Sequence, residues 1–313
     1  MSTRAPKRIS RRPKLSILRA QSLEKISWLV HGFSTRTGGF SRAYGKADLN
    51  LGFTKDDPRA TVDRNRIAFL RGLEAPSPRH NERNHNDGSN GQRWKLITLR
   101  QVHSDIIHHI DSHQVASEPG EPLTGDGLIT TTPGLLLGIQ TADCLPIILV
   151  DPKHHAVGVF HAGWRGTVKR IVEKGVGEMH RWFGTRPEDV KAAIGSGIGG
   201  CCYEVGEEVR TKFESQFSYA AKLFREVKDS DPVREKYPLL FLSARAPGHG
   251  ELPPKLFLDL AEANRRQLLS VGVPAKSIAA SPLCTNCRTD LLFSYRAEKG
   301  KTGRMLAVAG IRR

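Results

Sequence analysis

Leu135-Leu-Leu-Gly-Ile139, Leu145-Pro-Ile-Ile-Leu-Val150 and Ala156-Val-Gly-Val-Phe160 are three apolar runs that follow one another between Gly125 and Gly166. Short polar segments separate them. Apolar runs of this length, bounded by turn-forming residues, are typical of strands that are buried on both faces. We therefore expect these runs to be three buried strands of one sheet.

The pattern changes on both sides of these runs. After Gly166 the apolar residues recur at helical spacing until Gly184, which predicts a helix directly after the third strand. A first strand is predicted over residues 26–33, a second helix over 258–271 and a last strand over 305–311. Because strands and helices interleave without internal repeats, we expect a single α/β (α+β) domain with a mixed sheet.

Polar composition marks the end of the domain and one insertion. Residues 1–20 carry seven Lys and Arg and no acid, and such a run of like charge is typical of a disordered, solvated arm. Residues 75–93 hold Pro, Asn, Asp, Gly, Ser and charged residues with almost nothing apolar, which indicates a surface insertion. The folded domain is therefore predicted over residues 21–313, with the insertion inside it.

Composition and charge limit the class of protein. The 313 residues are 38% hydrophobic and 26% charged, and no apolar run reaches the roughly 18 residues that a membrane span needs. The N-terminus lacks the apolar core of a signal peptide, and five cysteines do not suggest a disulfide framework, so we expect a soluble cytoplasmic protein. The net charge is +16, but seven of these charges lie in residues 1–20, which leaves about +9 (16 − 7) for the rest. Nucleic-acid binding is therefore not expected.

Three segments place strong metal ligands beside predicted strand ends, at His103, Cys144 and His161. One thiolate and two imidazoles suit zinc, and three protein ligands leave the fourth tetrahedral position open to water or substrate, as in catalytic sites. A zinc ion held in this way would lower the pKa of a bound water toward neutrality. The ligands lie 41 and 17 positions apart, however, so spacing alone leaves open that Cys144 is a buried small residue and that the histidines only pack.

Six motifs are spread over nearly the whole chain from residue 33 onwards. They are Phe33-Ser-Thr-Arg-Thr-Gly-Gly-Phe-Ser41, Leu49-Asn-Leu-Gly52, Gln101-Val-His103, Thr141-Ala-Asp-Cys-Leu-Pro146, His161-Ala-Gly-Trp-Arg-Gly166 and Cys201-Cys-Tyr-Glu-Val-Gly206. In sequence and order they closely resemble the YfiH family, also called the multicopper polyphenol oxidoreductase or laccase-like family. The resemblance implies an α/β sandwich with mixed β-sheets flanked by helices, and one zinc ion bound by His103, Cys144 and His161. The chain departs from the family pattern at residues 195–200 and at Ala297, and neither place contains a ligand.

The resemblance also implies an enzyme that acts on purine nucleosides. It implies phosphorolysis of adenosine, inosine, guanosine and S-methyl-5′-thioadenosine, together with adenosine deamination at the zinc site. We expect Arg36 and Arg165 to hold phosphate or substrate oxygens, because a guanidinium fits them bidentately, and Asn50 to contact the base or the sugar. Asp126 is expected to orient the ribose or a ligand histidine, with Asp143 as its rival and a turn cap as the alternative for both.

Three other functions remain open on the sequence. A copper-dependent polyphenol oxidase would need a cluster held by many histidines, but paired His-x-His motifs are missing, so zinc is expected over copper. A zinc or nucleic-acid module without activity would use Cys284-x-x-Cys287 with Cys201-Cys202, although adjacent cysteines rarely chelate one ion with good geometry. A metal-independent cysteine hydrolase would use Cys144 as nucleophile, His161 as base and Asp126 to orient that base.

Overall fold

The three apolar runs form strands in a computed structural model of the chain, which describes residues 14–74, 94–112, 123–228 and 254–313. The strands are Leu135–Thr141, Leu145–Asp151 and Ala156–Ala162, and nearly every residue in them is buried. The prediction that all three belong to one sheet is wrong, because the second and third pair with each other while the first lies in another sheet. Apolar residues on both faces of a strand show that both faces are covered, but they do not identify the strand's neighbours.

Two large sheets and one small sheet organise the described residues. The strands are β1 Ile17–Leu18, β2 Leu29–Ser34, β3 Thr37–Ser41, β4 Lys95–Thr98, β5 Ile107–His109, β6 Gly127–Thr130, β7 Leu135–Thr141, β8 Leu145–Asp151, β9 Ala156–Ala162, β10 Lys191–Ile194, β11 Glu204–Val205, β12 Phe224–Val227, β13 Lys255–Leu258, β14 Ile278–Ala280 and β15 Met305–Ile311. The helices are α1 Gln21–Glu24, α2 Arg59–Glu74, α3 Trp164–Val168, α4 Ile171–Phe183, α5 Glu207–Glu214 and α6 Leu260–Ser270.

The strand orders are β1-β2-β15-β7-β4, β14-β10-β8-β9-β6-β5 and β11-β13-β12. The pairs β4–β7, β5–β6 and β10–β14 are parallel, and the remaining pairs are antiparallel. The sheets are therefore mixed, as expected.

The two large sheets pack face to face, and helices cover their outer faces. Leu137 of β7 and Ile148 of β8 belong to one apolar cluster between the sheets. On the outer face of the six-stranded sheet, Phe160 of β9 packs with Val176 of α4. On the outer face of the five-stranded sheet, Phe69 of α2 packs with residues of β2, β7 and β15. The described residues thus form the α/β sandwich with flanking helices that was expected.

Several predicted elements are confirmed within a few residues. The helix after Gly166 is α3 followed by α4, and α4 ends at Gly184, whose φ of 71° lies in the left-handed region that glycine adopts without strain. The second predicted helix is α6, which begins after Asp259, where the carboxylate caps the backbone N–H of Glu262 at 2.9 Å. The last predicted strand coincides with β15.

The described residues include 14–20, which belong to the predicted basic arm. Ile17 and Leu18 form β1, which pairs antiparallel with β2, because Leu15 and Ile17 pack against the cluster around Phe69 and Leu18 against the cluster between the sheets. Residues 1–13 of the arm and the predicted insertion at 75–93 lie outside the described residues. Among the helices of the described chain, none is both long and apolar enough to cross a membrane.

Candidate metal centre

The three predicted metal ligands meet at one end of the six-stranded sheet. Cys144 directly precedes β8, and His161 lies near the end of β9, opposite Pro146 of β8 in the antiparallel register. His103 comes from the turn before β5. The ligand atoms of the three residues lie within 4.8 Å of one another, and Cys144 Sγ is 3.8 Å from His103 Nε2. The fold thus brings together side chains that are far apart in the sequence.

Asp126 fixes two of the three candidate ligands. It lies directly before β6, next to β9, and its side chain is fully buried. The ring of His161 contacts the carboxylate through Nδ1 at 2.8 Å, which directs Nε2 toward Cys144 and His103. The same carboxylate accepts the backbone N–H groups of Val102, His103 and Ser104 and the Ser104 hydroxyl, at 2.6 to 3.2 Å. Of the roles expected for Asp126, this geometry matches the histidine-orienting one and the turn cap together, because a fully buried carboxylate does not reach a ribose.

The backbone around the ligands is held in unusual conformations. His103 has a φ of 58° and Asp143 a φ of 88°, in a region that residues other than glycine rarely adopt. Such strain is typical of functional sites, where the surrounding contacts over-determine the geometry. At Gly163 a Cβ atom would lie 2.8 Å from Cys144 Sγ and 3.1 Å from the His103 ring. Only glycine leaves this space open, so the shape of the site fits an ion among the three ligands.

The charges of Cys144 and His161 stabilise each other. Burial by itself would raise the pKa of the Cys144 thiol, but the positive charge of His161 and hydrogen bonds from His103 and His161 lower it to about 6. Burial by itself would lower the pKa of His161, but the charge of Cys144 and the hydrogen bond to Asp126 raise it to about 9. Cys144 is therefore favoured as a thiolate at neutral pH, and the thiolate is the form in which cysteine binds metals. Metal binding would displace the proton from His161 Nε2.

The Asp143 carboxylate forms its hydrogen bonds with groups other than the two histidines. Its carboxylate accepts the Thr285 hydroxyl at 2.6 Å and the backbone N–H of Arg296 at 2.7 Å, so it joins the Cys144 turn to the loop after β14. Of the two aspartates, Asp126 is the one whose carboxylate contacts a candidate ligand side chain, whereas the contacts of Asp143 stabilise the turn before β8.

An open cavity of about 680 Å³ leads to the ligands. Its lining is rich in cationic, aromatic and amide side chains, namely Gln101, Gln140, Trp164, Arg165, Tyr203, Tyr295, Arg296 and Arg304, besides the three ligands. Arg165, predicted to bind substrate oxygens, is exposed and stacks on the Trp164 ring with 4.4 Å between guanidinium carbon and ring centroid. The structure shows no salt-bridge partner for it within the described residues. The cavity thus combines the candidate ligands with three guanidinium groups.

Arg296, Arg304 and Tyr203 are cavity residues that sequence reasoning missed. Tyr203 lies in the quoted motif with the adjacent cysteines, and Arg296 in the segment Phe293-Ser-Tyr-Arg296, so a signal was present in both motifs. No spacing rule connects residues about 100 positions apart, because the loops after β10 and β14 meet only in the folded chain.

Arg36 and Asn50, which were predicted to contact substrate, do not line this cavity. The Arg36 guanidinium is buried and pairs with Asp48 at 2.9 Å and Glu298 at 3.2 Å. Asn50 is fully buried, donates to Asp57 at 2.8 Å and accepts a backbone N–H across the fold. Buried polar groups need such partners, and these two side chains have theirs within the protein.

An α/β sandwich with a His₂Cys group at the base of an open, cationic cavity defines a candidate metal-dependent enzyme. The chain belongs to the family described as multi-copper polyphenol oxidoreductase laccase, whose model matches residues 30–312. The resemblance to the YfiH family noted in the sequence is thereby confirmed.

Relatives and solved structures support this assignment. A protein of Deinococcus radiodurans named purine nucleoside phosphorylase is 36% identical over 307 residues, which cover 96% of this chain and 95% of the relative. A protein of an unknown prokaryotic organism named adenosine deaminase RL5 is 36% identical over 213 residues, 67% of this chain and 72% of the relative. The crystal structure of hypothetical protein YfiH of Bacillus licheniformis covers 97% of this chain and 98% of its own, at 29% identity and a TM-score of 0.75.

Proposed function

We propose that the protein is a zinc-dependent purine nucleoside phosphorylase, which converts a purine nucleoside and phosphate into the free base and ribose 1-phosphate. The observation that carries the proposal is the cavity itself, because it joins three guanidinium groups and aromatic rings to the His₂Cys group. The name of the Deinococcus radiodurans relative, which matches nearly the whole chain, points to the same reaction.

Zinc is the metal we propose for His103, Cys144 and His161. A thiolate with two imidazoles is a donor set that zinc accepts in tetrahedral geometry, and three protein ligands leave one position for a reactant. When bound, the ion would supply Lewis-acid chemistry at the base of the cavity. The chain's own contribution is to fix the ligands, through Asp126 and through the space at Gly163.

Arg165 and Arg296 are the residues we propose for phosphate. Phosphate carries a charge of about −1.5 to −2 at neutral pH, and a guanidinium binds its oxygens bidentately. The exposed guanidinium of Arg165 is available for this contact, and Arg296 is anchored by its backbone N–H to Asp143. In the reaction, a phosphate oxygen forms the bond to ribose C1′ while the bond from C1′ to purine N9 breaks and its electron pair goes to the base. Two cations beside the attacking oxygen hold it in position for this step.

Tyr203 is the residue we propose for the purine. Its ring provides an aromatic face within the cavity, with the Arg296 guanidinium carbon 5.7 Å from the ring centroid. Burial first, and then the charge of Cys144, raise the pKa of the Tyr203 hydroxyl well above its ordinary value. The hydroxyl therefore stays protonated at neutral pH and is suited to donate a hydrogen bond to a ring nitrogen of the departing base.

Adenosine deamination is the second activity that we propose for the same cavity, because a relative over two thirds of the chain is named adenosine deaminase. In that reaction water replaces the 6-amino group, and adenosine becomes inosine and ammonia. We propose adenosine, inosine, guanosine and S-methyl-5′-thioadenosine as the nucleosides, from the resemblance of the motifs. Five free cysteines favour a reducing compartment, so we place the activity in the cytoplasm.

The test is to incubate the purified protein with adenosine or inosine, with and without phosphate, and to separate the products by chromatography. Phosphate-dependent release of base with ribose 1-phosphate is the expected result, and conversion of adenosine to inosine would support the second activity. In Arg165→Ala the KM for phosphate should rise roughly tenfold or more, because a lost charge-assisted contact costs about 1.5–3 kcal/mol. Arg181→Ala is the control, since Arg181 is exposed and lines another cavity. Absence of turnover with every purine nucleoside would refute the proposal.

A metal-independent cysteine hydrolase would use the same residues, with Cys144 as nucleophile, His161 as base and Asp126 to orient that base. His103 distinguishes the two functions, because a hydrolase does not need a second imidazole 3.8 Å from the thiolate. Activity that survives exhaustive chelation but not alkylation of Cys144 would favour the hydrolase.

A copper cluster is not the function that these residues favour. The histidine pairs 108–109 and 154–155 have other partners: His109 stacks on Trp182, His155 on Trp28, and His154 pairs with Asp151. Metal analysis, with oxygen uptake measured beside nucleoside turnover, separates an oxidase from a phosphorylase.

A further inference from the structure

Four cysteines from two loops meet outside the cavity. Cys201 and Cys202 lie in the loop after β10, and Cys284 and Cys287 lie in the loop after β14. Because β10 and β14 are parallel neighbours, both loops leave the same end of the sheet. The four sulfur atoms lie within 4.8 Å of one another, with 3.7 Å from Cys201 to Cys287 and 3.3 Å from Cys202 to Cys287. None of these cysteines lines the cavity that holds the first ligand group.

The local backbone explains how adjacent cysteines reach one point. In a strand, Cys201 and Cys202 would point to opposite faces. Here they occupy a turn in which the N–H groups of Cys202 and Tyr203 both donate to the carbonyl of Gly199, at 2.9 Å each. The turn directs both sulfurs toward Cys287, so the expectation that the adjacent pair has poor geometry for one ion does not hold in this structure.

We propose that these four cysteines bind a second zinc ion, in a structural site of four thiolates that is separate from the His103–Cys144–His161 centre. A tetrahedral site with zinc–sulfur bonds of about 2.3 Å has sulfur atoms about 3.8 Å apart, close to the separations found here. Cys284-x-x-Cys287 has the spacing of one half of such sites.

A backbone N–H group is directed at one sulfur of the cluster. The backbone N–H of Gly199 donates to Cys284 Sγ at 3.2 Å. Backbone N–H groups directed at sulfur stabilise its negative charge in the way that they stabilise a carboxylate.

The site would fasten the wall of the catalytic cavity. Thr285, between the two ligands of the second loop, donates its N–H to Gly197 at 3.0 Å and its hydroxyl to Asp143. Tyr203 follows Cys202 directly, and Arg296 also binds Asp143. An ion that joins the two loops therefore holds Tyr203 and Arg296 in place without taking part in the reaction.

The test is to count metal in protein purified without added chelator, by mass spectrometry of the elements. About two zinc ions per chain are expected for the wild type, and about one for the double variant Cys284→Ser with Cys287→Ser. Cys144→Ser should also hold about one zinc ion, because it keeps the ion of the four cysteines and loses the ion of the His103–Cys144–His161 centre. The double variant should keep the zinc of the first centre and unfold at lower urea concentration, because structural zinc contributes to folding.

A second measurement on the wild type keeps the proposal testable where the double variant does not fold. Titration with an organomercurial should release two zinc ions per chain as all five thiols react, and cadmium bound at the four cysteines should show sulfur-only coordination by cadmium NMR. A single zinc ion per chain that disappears in Cys144→Ser would overturn the proposal. A metal-free cluster with a Cys202–Cys287 disulfide in freshly isolated protein, or iron in place of zinc, would overturn it as well. None of these results depends on whether the enzyme acts on nucleosides.

Discussion

Replacement of Asp126 by asparagine measures how much the support of the candidate metal ligands contributes, because it leaves His103, Cys144 and His161 unchanged. The carboxylate contacts five donors: the His161 ring, the N–H groups of residues 102, 103 and 104, and the Ser104 hydroxyl. The amide of Asp126→Asn retains one acceptor oxygen. If that oxygen stays with His161 and the His103 N–H, the N–H groups of Val102 and Ser104 face an NH₂ group that cannot accept.

The size of the effect follows from these contacts. A buried donor left without a partner costs about 1–3 kcal/mol. Ser104 is buried, whereas Val102 is 45% exposed, so the cost of one buried donor, about 1–3 kcal/mol of unfolding free energy, should be lost rather than twice that. The zinc affinity should fall roughly 10- to 100-fold, which is typical when the carboxylate behind a ligand histidine is replaced.

Two assays measure these effects separately. Urea unfolding of metal-free protein gives the change in stability, and competition with a chromophoric chelator gives the zinc affinity. Asp105→Asn is the matched control, because Asp105 follows in the same loop but only forms ion pairs with Lys169 and Lys174 near the surface, worth at most about 1 kcal/mol. If Asp126→Asn matched the control in both assays, the assigned role of Asp126 would be wrong.

Three further predictions concern packing, pH and the substrate. Gly175→Ala should destabilise the protein by about 1–3 kcal/mol in urea unfolding, because its Cβ would lie 2.6 Å from the buried Phe160 ring. Gly177→Ala has open space around it in the same helix and should stabilise the protein by about 0.5–1 kcal/mol. Equal effects of the two substitutions would contradict this packing. Burial, and then Arg19, lower the pKa of His31 from 6.5 to about 4, so the unfolded chain takes up a proton that the folded chain excludes. The free energy of unfolding should therefore be full above pH 6.5 and fall by roughly 3 kcal/mol toward pH 4. A His31→Gln variant with the same pH profile of stability would refute this cause. Tyr203→Leu should raise the nucleoside KM roughly tenfold while Tyr203→Phe keeps it within about threefold, because stacking on a base is worth about 1–3 kcal/mol; equal values for Leu and wild type would exclude stacking.

Local patterns predicted the elements of the fold but not their assembly. The apolar runs, the helical spacing that ends at Gly184 and the final strand all reflect forces that act within about 20 residues of sequence. Assignment of β7 to the wrong sheet has a different origin. Only three residues connect β7 to β8, and neighbouring strands in sequence usually pair, yet here the chain crosses from one sheet to the other. The crossing places Cys144 between the sheets' ends, where the metal ligands meet.

The candidate site was also predicted only in part from the sequence. His103, Cys144 and His161 stood out because imidazoles and thiolates beside strand ends are rare and chemically distinctive. Arginine carries no such distinction: Arg36 lies in a Gly-rich motif but forms buried ion pairs, whereas Arg296, without any expected role, lines the cavity. Whether a guanidinium is paired inside the fold or open to a ligand depends on acids far away in the sequence, and only the tertiary structure identifies them.

Asp143 connects the two groups of candidate metal ligands. It precedes Cys144, and its carboxylate binds Thr285, which lies between Cys284 and Cys287. Its second oxygen binds the backbone of Arg296, at the wall of the cavity. A shift of the Cys284 loop would therefore move the Cys144 turn and Arg296 together, because the Asp143 carboxylate joins all three. The backbone of Asp143 itself has a positive φ that residues other than glycine rarely adopt. The four-cysteine cluster is thus placed to set the geometry of the cavity from outside it, which gives a physical reason for the proposed site of four thiolates.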